Sequence, residues 1–165
     1  TQKPIALVTG TSGDIGGAIA QELGANGWYV IGTYVGAAEA AAATVAVINN
    51  AGGSAEAMQL DQRDPAAIDS LIANITDDYG RLDVLVNNAA WNIGIPFRRL
   101  DKLTADIWDR IMETNLRAPF LLARAVAKLL RADGARQIVN ISSAGESAQK
   151  VAVVLTPPVR PDLTT

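Results

Sequence analysis

Thr9-Gly10-Thr11-Ser12-Gly13-Asp14-Ile15-Gly16 puts three glycines and three hydroxyls between the apolar run Ile5-Ala6-Leu7-Val8 and a stretch of helical periodicity. A strand-to-helix turn of this kind can bring a phosphate against main-chain N–H groups. Gly10 allows the tight turn, Gly16 lets the helix lie close to the strand, and the helix N-terminus supplies donors at the positive end of its dipole. Glycine clusters also mark ordinary turns, so anion binding needs support from elsewhere in the chain. Asp14 sets a carboxylate beside the expected phosphate, or alternatively caps the helix. Three other places could carry chemistry. Asn87-Asn88 follow Val84-Leu85-Val86; Asn115 lies inside a long helical segment; Ser142-Ser143 close the run from Gln137 to Ile141. Pro119 has no N–H to offer the carbonyl four residues earlier, so the Asn115 carbonyl is left free to hold water. Each has a plainer alternative: an Asn pair bonding nearby backbone, a proline kink, serines that end a strand.

The elements that must position these groups alternate. Strands are expected at Ile5–Val8, Trp28–Thr33, Glu56–Leu60, Val84–Val86 and Gln137–Ile141. Between them run a helix carrying Ile15, Ala18, Ile19 and Leu23, an alanine-rich helix over 37–50, and a helix opened by Asp64-Pro65 and stopped at Gly80. A long helix capped by Thr104 carries Ile107 through Leu129. Short continuous apolar strands alternating with helices predict a parallel sheet with right-handed crossovers and helices on both faces. Ligands of such sheets bind at the carboxyl ends of the strands, where the glycine turn, Asn88 and Ser143 all fall.

Composition narrows the chemistry further. The 165 residues suit one domain, and 49% hydrophobic content argues against disorder. A net charge of −3 with scattered Lys and Arg offers no basic stripe for nucleic acid. With no Cys and no His, thiolate chemistry, histidine acid/base work and the usual zinc ligands are excluded, and no metal site is expected. No run approaches the length of a membrane span and no signal peptide is recognisable, which predicts a cytoplasmic protein.

The Thr-Gly-x-x-x-x-Ile-Gly turn resembles the cofactor turn of the short-chain dehydrogenase/reductase family, with Asp14 where that family usually has Gly. Asp61, Asn87-Asn88-Ala89-Ala90 (usually Asn-Asn-Ala-Gly), Asn115 and Ser143 match the same family in order and spacing, so the resemblance covers residues 4–143. It implies a Rossmann-type doubly wound α/β sheet that takes NADP or NAD. Residues 1–143 form the dinucleotide-binding core, and 144–165 are a short connection and sixth-strand-like tail of the same domain. By resemblance, Gly10, Ser12, Gly13, Asp14, Ile15, Gly16, Tyr34, Asp61, Gln62, Asn88, Ala89, Ala90 and Val159 line the cofactor. Ser143 polarises a substrate carbonyl, and the Asn115 main-chain carbonyl anchors a proton-relay water. A homodimer or homotetramer acting on a small carbonyl or alcohol is implied in the same way.

The pattern then breaks. Thr156 stands where the family has its acid/base Tyr of Tyr-x-x-x-Lys, and the only tyrosines are Tyr29, Tyr34 and Tyr79. Lys150–Val154 resembles the family's sixth strand, yet only seven residues separate Ser143 from Val151. A parallel crossover needs roughly a dozen or more and normally holds a helix. The sheet is therefore expected to be truncated or internally deleted after the fifth strand, losing the catalytic helix and the cover of one face. Thr33-Tyr34-Val35-Gly36 has no acid to select NAD, which leans toward NADP, although no Arg or Lys stands there or in the glycine turn to meet a 2′-phosphate. Two functions compete: an NAD(P)-dependent oxidoreductase, inactive as this 165-residue chain, and a non-catalytic dinucleotide-binding or scaffold protein. A different nucleotide-binding α/β protein, such as a methyltransferase, would need the Asn87-Asn88 and Asn115 matches to be chance.

Overall fold

A computed structural model of the chain describes residues 3–130, 137–144 and 150–156. Six strands form one sheet in the order β3-β2-β1-β4-β5-β6. They are β1 (Ile5–Thr9), β2 (Tyr29–Tyr34), β3 (Ser54–Gln59), β4 (Val84–Asn87), β5 (Gln137–Ala144) and β6 (Lys150–Thr156). The first five are parallel, as the alternating pattern predicts. The chain order reverses between β1 and β4, which opens a crevice at their carboxyl ends.

Successive side chains of a strand point to opposite faces, and this divides the core in two. Ile5, Leu7, Ile31 and Leu85 pack beneath α3 (Pro65–Tyr79) and α5 (Ala118–Val126), against Ile68, Ile75, Leu122 and Val126. Ala6, Val8, Val30 and Val86 face the other way, under α1 (Asp14–Ala25) and α2 (Ala38–Asn50), through Ala20 and Ile48. The α3 boundaries are those expected: the Asp64 carboxylate accepts from the Ala66 N–H, Pro65 follows, and Gly80 ends the helix at φ 65°. A side chain at that left-handed position would be strained.

Three expectations are corrected. Asp14 does not cap α1: Gly13 is the N-cap, no side chain bonds the helix end, and Asp14 is the first helical residue. The long helix capped by Thr104 runs unbroken in backbone conformation from Ala105 to Val126 but is not α-helical throughout. α4 (Ala105–Met112), capped by the Thr104 hydroxyl, passes into α5 through a π-helical turn over Glu113–Arg117, in which Ala118 N–H bonds the Glu113 carbonyl. Pro119, with no N–H for the α-helical ladder, sits just beyond that widened turn. Third, β6 is a strand as its resemblance suggests, but it runs antiparallel to β5, pairing Ile141 with Val153 and Ser143 with Val151. An antiparallel neighbour needs no helical crossover, so a short connection is enough.

On the α1 side of β4 and β5, an apolar groove of about 750 Å³ is lined by residues including Leu23, Trp28, Val84, Val86, Val139 and Ile141. The α3–α5 side carries most of the large buried side chains. Removing one of them, Leu85→Ala, is expected to cost about 2–5 kcal/mol of unfolding free energy. Deleting the α3 cap, Asp64→Ala, should cost about 1 kcal/mol. Urea denaturation of the two variants checks that ordering.

Candidate functional site at the carboxyl edge

The crevice between β1 and β4 is built around the Thr9 side chain, which is fully buried. Its hydroxyl accepts from the N–H groups of Asn88 (3.0 Å) and Ala89 (2.9 Å) and lies 3.4 Å from the Val86 carbonyl, to which it donates. Asn88 returns the contact, its Nδ2 donating to the Thr9 carbonyl at 2.9 Å. Two loops far apart in sequence are thereby fixed side by side. The first residue of that pair, Asn87, is only 6% exposed and donates to the Asn140 side chain on β5 at 2.8 Å. Its Oδ1 has no partner among the described residues.

The glycine turn packs directly onto this junction. Gly10 has φ 74°, and a Cβ there would lie 3.0 Å from Ala89. A Cβ on Gly16 would fall on the Gly10 carbonyl oxygen and 2.5 Å from Asn88 Nδ2, so the helix-to-strand closeness expected of Gly16 is real. Gly13 has room, its nearest contact being the Gly10 carbonyl oxygen at 3.6 Å. The N–H groups of Gly10 and Thr11 both donate to the Thr33 carbonyl, which ties the turn to the end of β2 and commits those donors. The first α1 bond runs from Gly17 N–H to the Gly13 carbonyl. The N–H groups of Asp14, Ile15 and Gly16 precede it and are the ones available to an anion at the helix N-terminus.

Beside the turn lies a cleft of about 220 Å³, lined by Gly10, Tyr34, Asp61, Ala90, Trp91 and Thr114 among others. Asp61 both starts a turn, its carbonyl accepting from the Asp64 N–H, and faces this cleft. Its carboxylate takes a two-pronged contact from Arg63, Nε at 2.9 Å and Nη2 at 2.6 Å. That hydrogen bonding, with lesser contributions from the Arg63 and Arg110 charges, holds the Asp61 carboxyl below its ordinary value against a smaller opposing effect of burial. Gln62 is 4% exposed and turned inward, its Nε2 donating to the carbonyls of Ala89 (3.1 Å) and Thr114 (2.9 Å). Its side chain therefore clips the β3 and β4 loops to the π turn.

Asn115 is exposed on that turn and pairs reciprocally with the Trp91 main chain, both contacts being 2.8 Å. The sequence pointed to its carbonyl; the structure adds a side-chain role in holding the loop after β4. Ser143 is placed at the carboxyl end of β5. Val159 lies outside the described residues. Trp91, Arg63 and Arg110 are members of the cleft that sequence reasoning missed. Tyr79 is remote from it: its hydroxyl bonds Glu56 (2.7 Å) and Tyr29 (3.1 Å), and burial, followed by those bonds, pushes its pKa well above the usual tyrosine range. It cannot stand in for an acid/base near neutrality.

The sequence profile described as short chain dehydrogenase matches residues 4–154. The chain is 39% identical over 139 residues to 3-oxoacyl-(acyl-carrier-protein) reductase of Synechocystis sp., covering 84% of this chain and 55% of that one. Versicolorin reductase of Emericella nidulans is 35% identical, with 84% and 51% covered. Among solved structures, a metagenomic short-chain oxidoreductase in complex with NADP superposes with a TM-score of 0.79 at 38% identity, over 86% of this chain and 63% of that one. A short chain dehydrogenase from Burkholderia cenocepacia, also with NADP, gives 0.78 at 39%, over 86% and 56%. The fold is thus of the Rossmann type, and the chain belongs to the short-chain dehydrogenase family. It spans about half the length of the curated relatives it matches.

The two glycines should respond differently to a methyl group. Gly16→Ala is expected to destabilise the fold by about 1–3 kcal/mol through overpacking, whereas Gly13→Ala, which meets no steric obstacle, should cost about 0.5–1 kcal/mol, the difference between Gly and Ala at an N-cap. Thermal unfolding followed by circular dichroism reads both.

Proposed function

We propose that the chain binds NADP or NAD along the carboxyl edge of β1, β2 and β4, and derives from an oxidoreductase acting on a small carbonyl or alcohol. The observation that carries this is the cradle itself, where the Gly10 and Gly16 positions leave no room for a side chain and three N–H groups open the N-terminus of α1. A pyrophosphate fits that donor set. The adenosine end fits the neighbouring cleft, with the Asp61 carboxylate available to accept from an exocyclic amine and Tyr34 and Ala90 beside it. The nicotinamide would give or take the hydride. Ser143 would orient the substrate carbonyl, and the Asn115 carbonyl would hold a water for proton relay. The NADP complexes of two structural relatives and the reductase names of the curated relatives support this assignment.

No tyrosine follows Tyr79 in the sequence, and the Tyr79 hydroxyl is held protonated away from the cleft. On that ground the 165-residue chain is proposed to bind dinucleotide without turning it over. Incubation with NADPH or NADH and a ketone panel that includes a 3-oxoacyl thioester is expected to show saturable binding by nucleotide fluorescence and no oxidation at 340 nm. Turnover by a mass-verified chain would overturn the second half of that statement.

Self-association is proposed through the outer face of α4 and α5. Trp108 is 54%, Leu116 62% and Phe120 61% exposed on it, a concentration of large apolar side chains that marks an interaction surface. Phe120→Glu is expected to shift the molecular mass in light scattering from a multiple of 17.3 kDa to that of the monomer. An unchanged multiple would remove this face from the interface.

A further inference from the structure

We propose that Arg110 selects the 2′-phosphorylated dinucleotide over the unphosphorylated one, an inference that rests on the nucleotide-binding function proposed above and sharpens it. The end of β2, where an acid would take a ribose 2′-hydroxyl or a cation a 2′-phosphate, offers Thr33, Tyr34, Val35 and Gly36 and so supplies neither. The cation must come from across the cleft. Two guanidinium groups line it, those of Arg63 and Arg110.

Arg63 is committed. Its Nε and Nη2 grip the Asp61 carboxylate, and its own carbonyl accepts from Arg117 Nη2 at 3.1 Å, so both its charge and its main chain are engaged. Arg110 has no carboxylate partner among the described residues. Its guanidinium instead lies over the Trp91 indole, 4.2 Å from the ring centroid. Stacking on an aromatic face leaves the in-plane N–H donors of a guanidinium free for a phosphate, and it orders the side chain in advance. Trp91 is itself held by the two main-chain bonds to Asn115, so the platform is fixed to the π turn. The charge is felt in the cleft, because Arg110 contributes to the lowered Asp61 carboxyl. Tyr34 and Val35 share that 220 Å³ space with Arg110, which brings the ribose-binding end of β2 within reach of a long side chain.

The test is a fluorescence titration of the full 165-residue chain with NADPH and with NADH. Wild type is expected to bind NADPH at least about tenfold more tightly, the ordinary worth of a charge-assisted hydrogen bond to phosphate. Arg110→Gln should weaken NADPH by about tenfold while NADH changes by less than about twofold. Arg110→Lys, which keeps the charge and loses the fork, should fall between. Arg63→Gln should weaken both nucleotides alike, because it acts through Asp61. An Arg110→Gln chain that keeps its preference, or that loses both nucleotides equally with an unchanged circular dichroism spectrum, overturns the assignment to Arg110. So does a wild type without preference, which leaves the nucleotide site itself standing. A wild type that binds neither nucleotide defeats the function proposed above, and this inference with it.

Discussion

One buried hydroxyl governs the geometry of this site. Thr9 ends β1, and its oxygen takes the two N–H groups that β4 leaves unpaired as it turns into its loop. A buried N–H without an acceptor costs more than an ordinary hydrogen bond gains, so β1 and β4 must finish level with each other. Once they do, the Asn88 side chain is drawn onto the Thr9 carbonyl and occupies the space beside the glycine turn. Nothing larger than hydrogen fits at Gly16 after that. The closeness of α1 to the sheet, and with it the direction of the free N–H groups, follows from a contact made seventy-nine residues apart in sequence.

The same economy recurs around the π turn. Gln62 reaches it from the β3 loop, Asn115 holds the β4 loop from it, and Arg117 bonds the carbonyl of Arg63. Two loops thus meet on a single irregular turn between α4 and α5, so a shift of either would be felt by the other. Widened turns of this sort are common at functional sites, and here the widening sits immediately ahead of the proline. Asp61, Gln62, Arg63, Trp91 and Arg110 consequently stand in the cleft wall already bonded or stacked, which lowers the entropic cost of receiving a ligand.

Far from that edge the chain is simpler. The two faces of the sheet are filled by Val, Ile, Leu and Ala at alternating positions, and α3 and α5 carry the heavier side chains. The β5–β6 pair is where the architecture leaves the pattern of a wholly parallel sheet. Strand propensity decides that Lys150–Thr156 is extended; the length of the connection decides which way it can run.

The sequence by itself determined the alternation of elements, because apolar runs, the Asp64-Pro65 start and the Gly80 stop act over a few residues. It also determined the glycine turn and the resemblance of Asn88, Asn115 and Ser143 to a known series, since these are matters of residue type and order. Only the tertiary structure decided that Asp14 is not a cap, that Gln62 turns inward, and that β6 is antiparallel. It alone brought Arg110 and Trp91 beside Tyr34. The reason is physical: a hydrogen bond or a stacked cation depends on where distant segments end in space. Local propensity carries no record of a partner in another loop, whether twenty-four residues away, as for Asn115 and Trp91, or seventy-nine, as for Asn88 and Thr9.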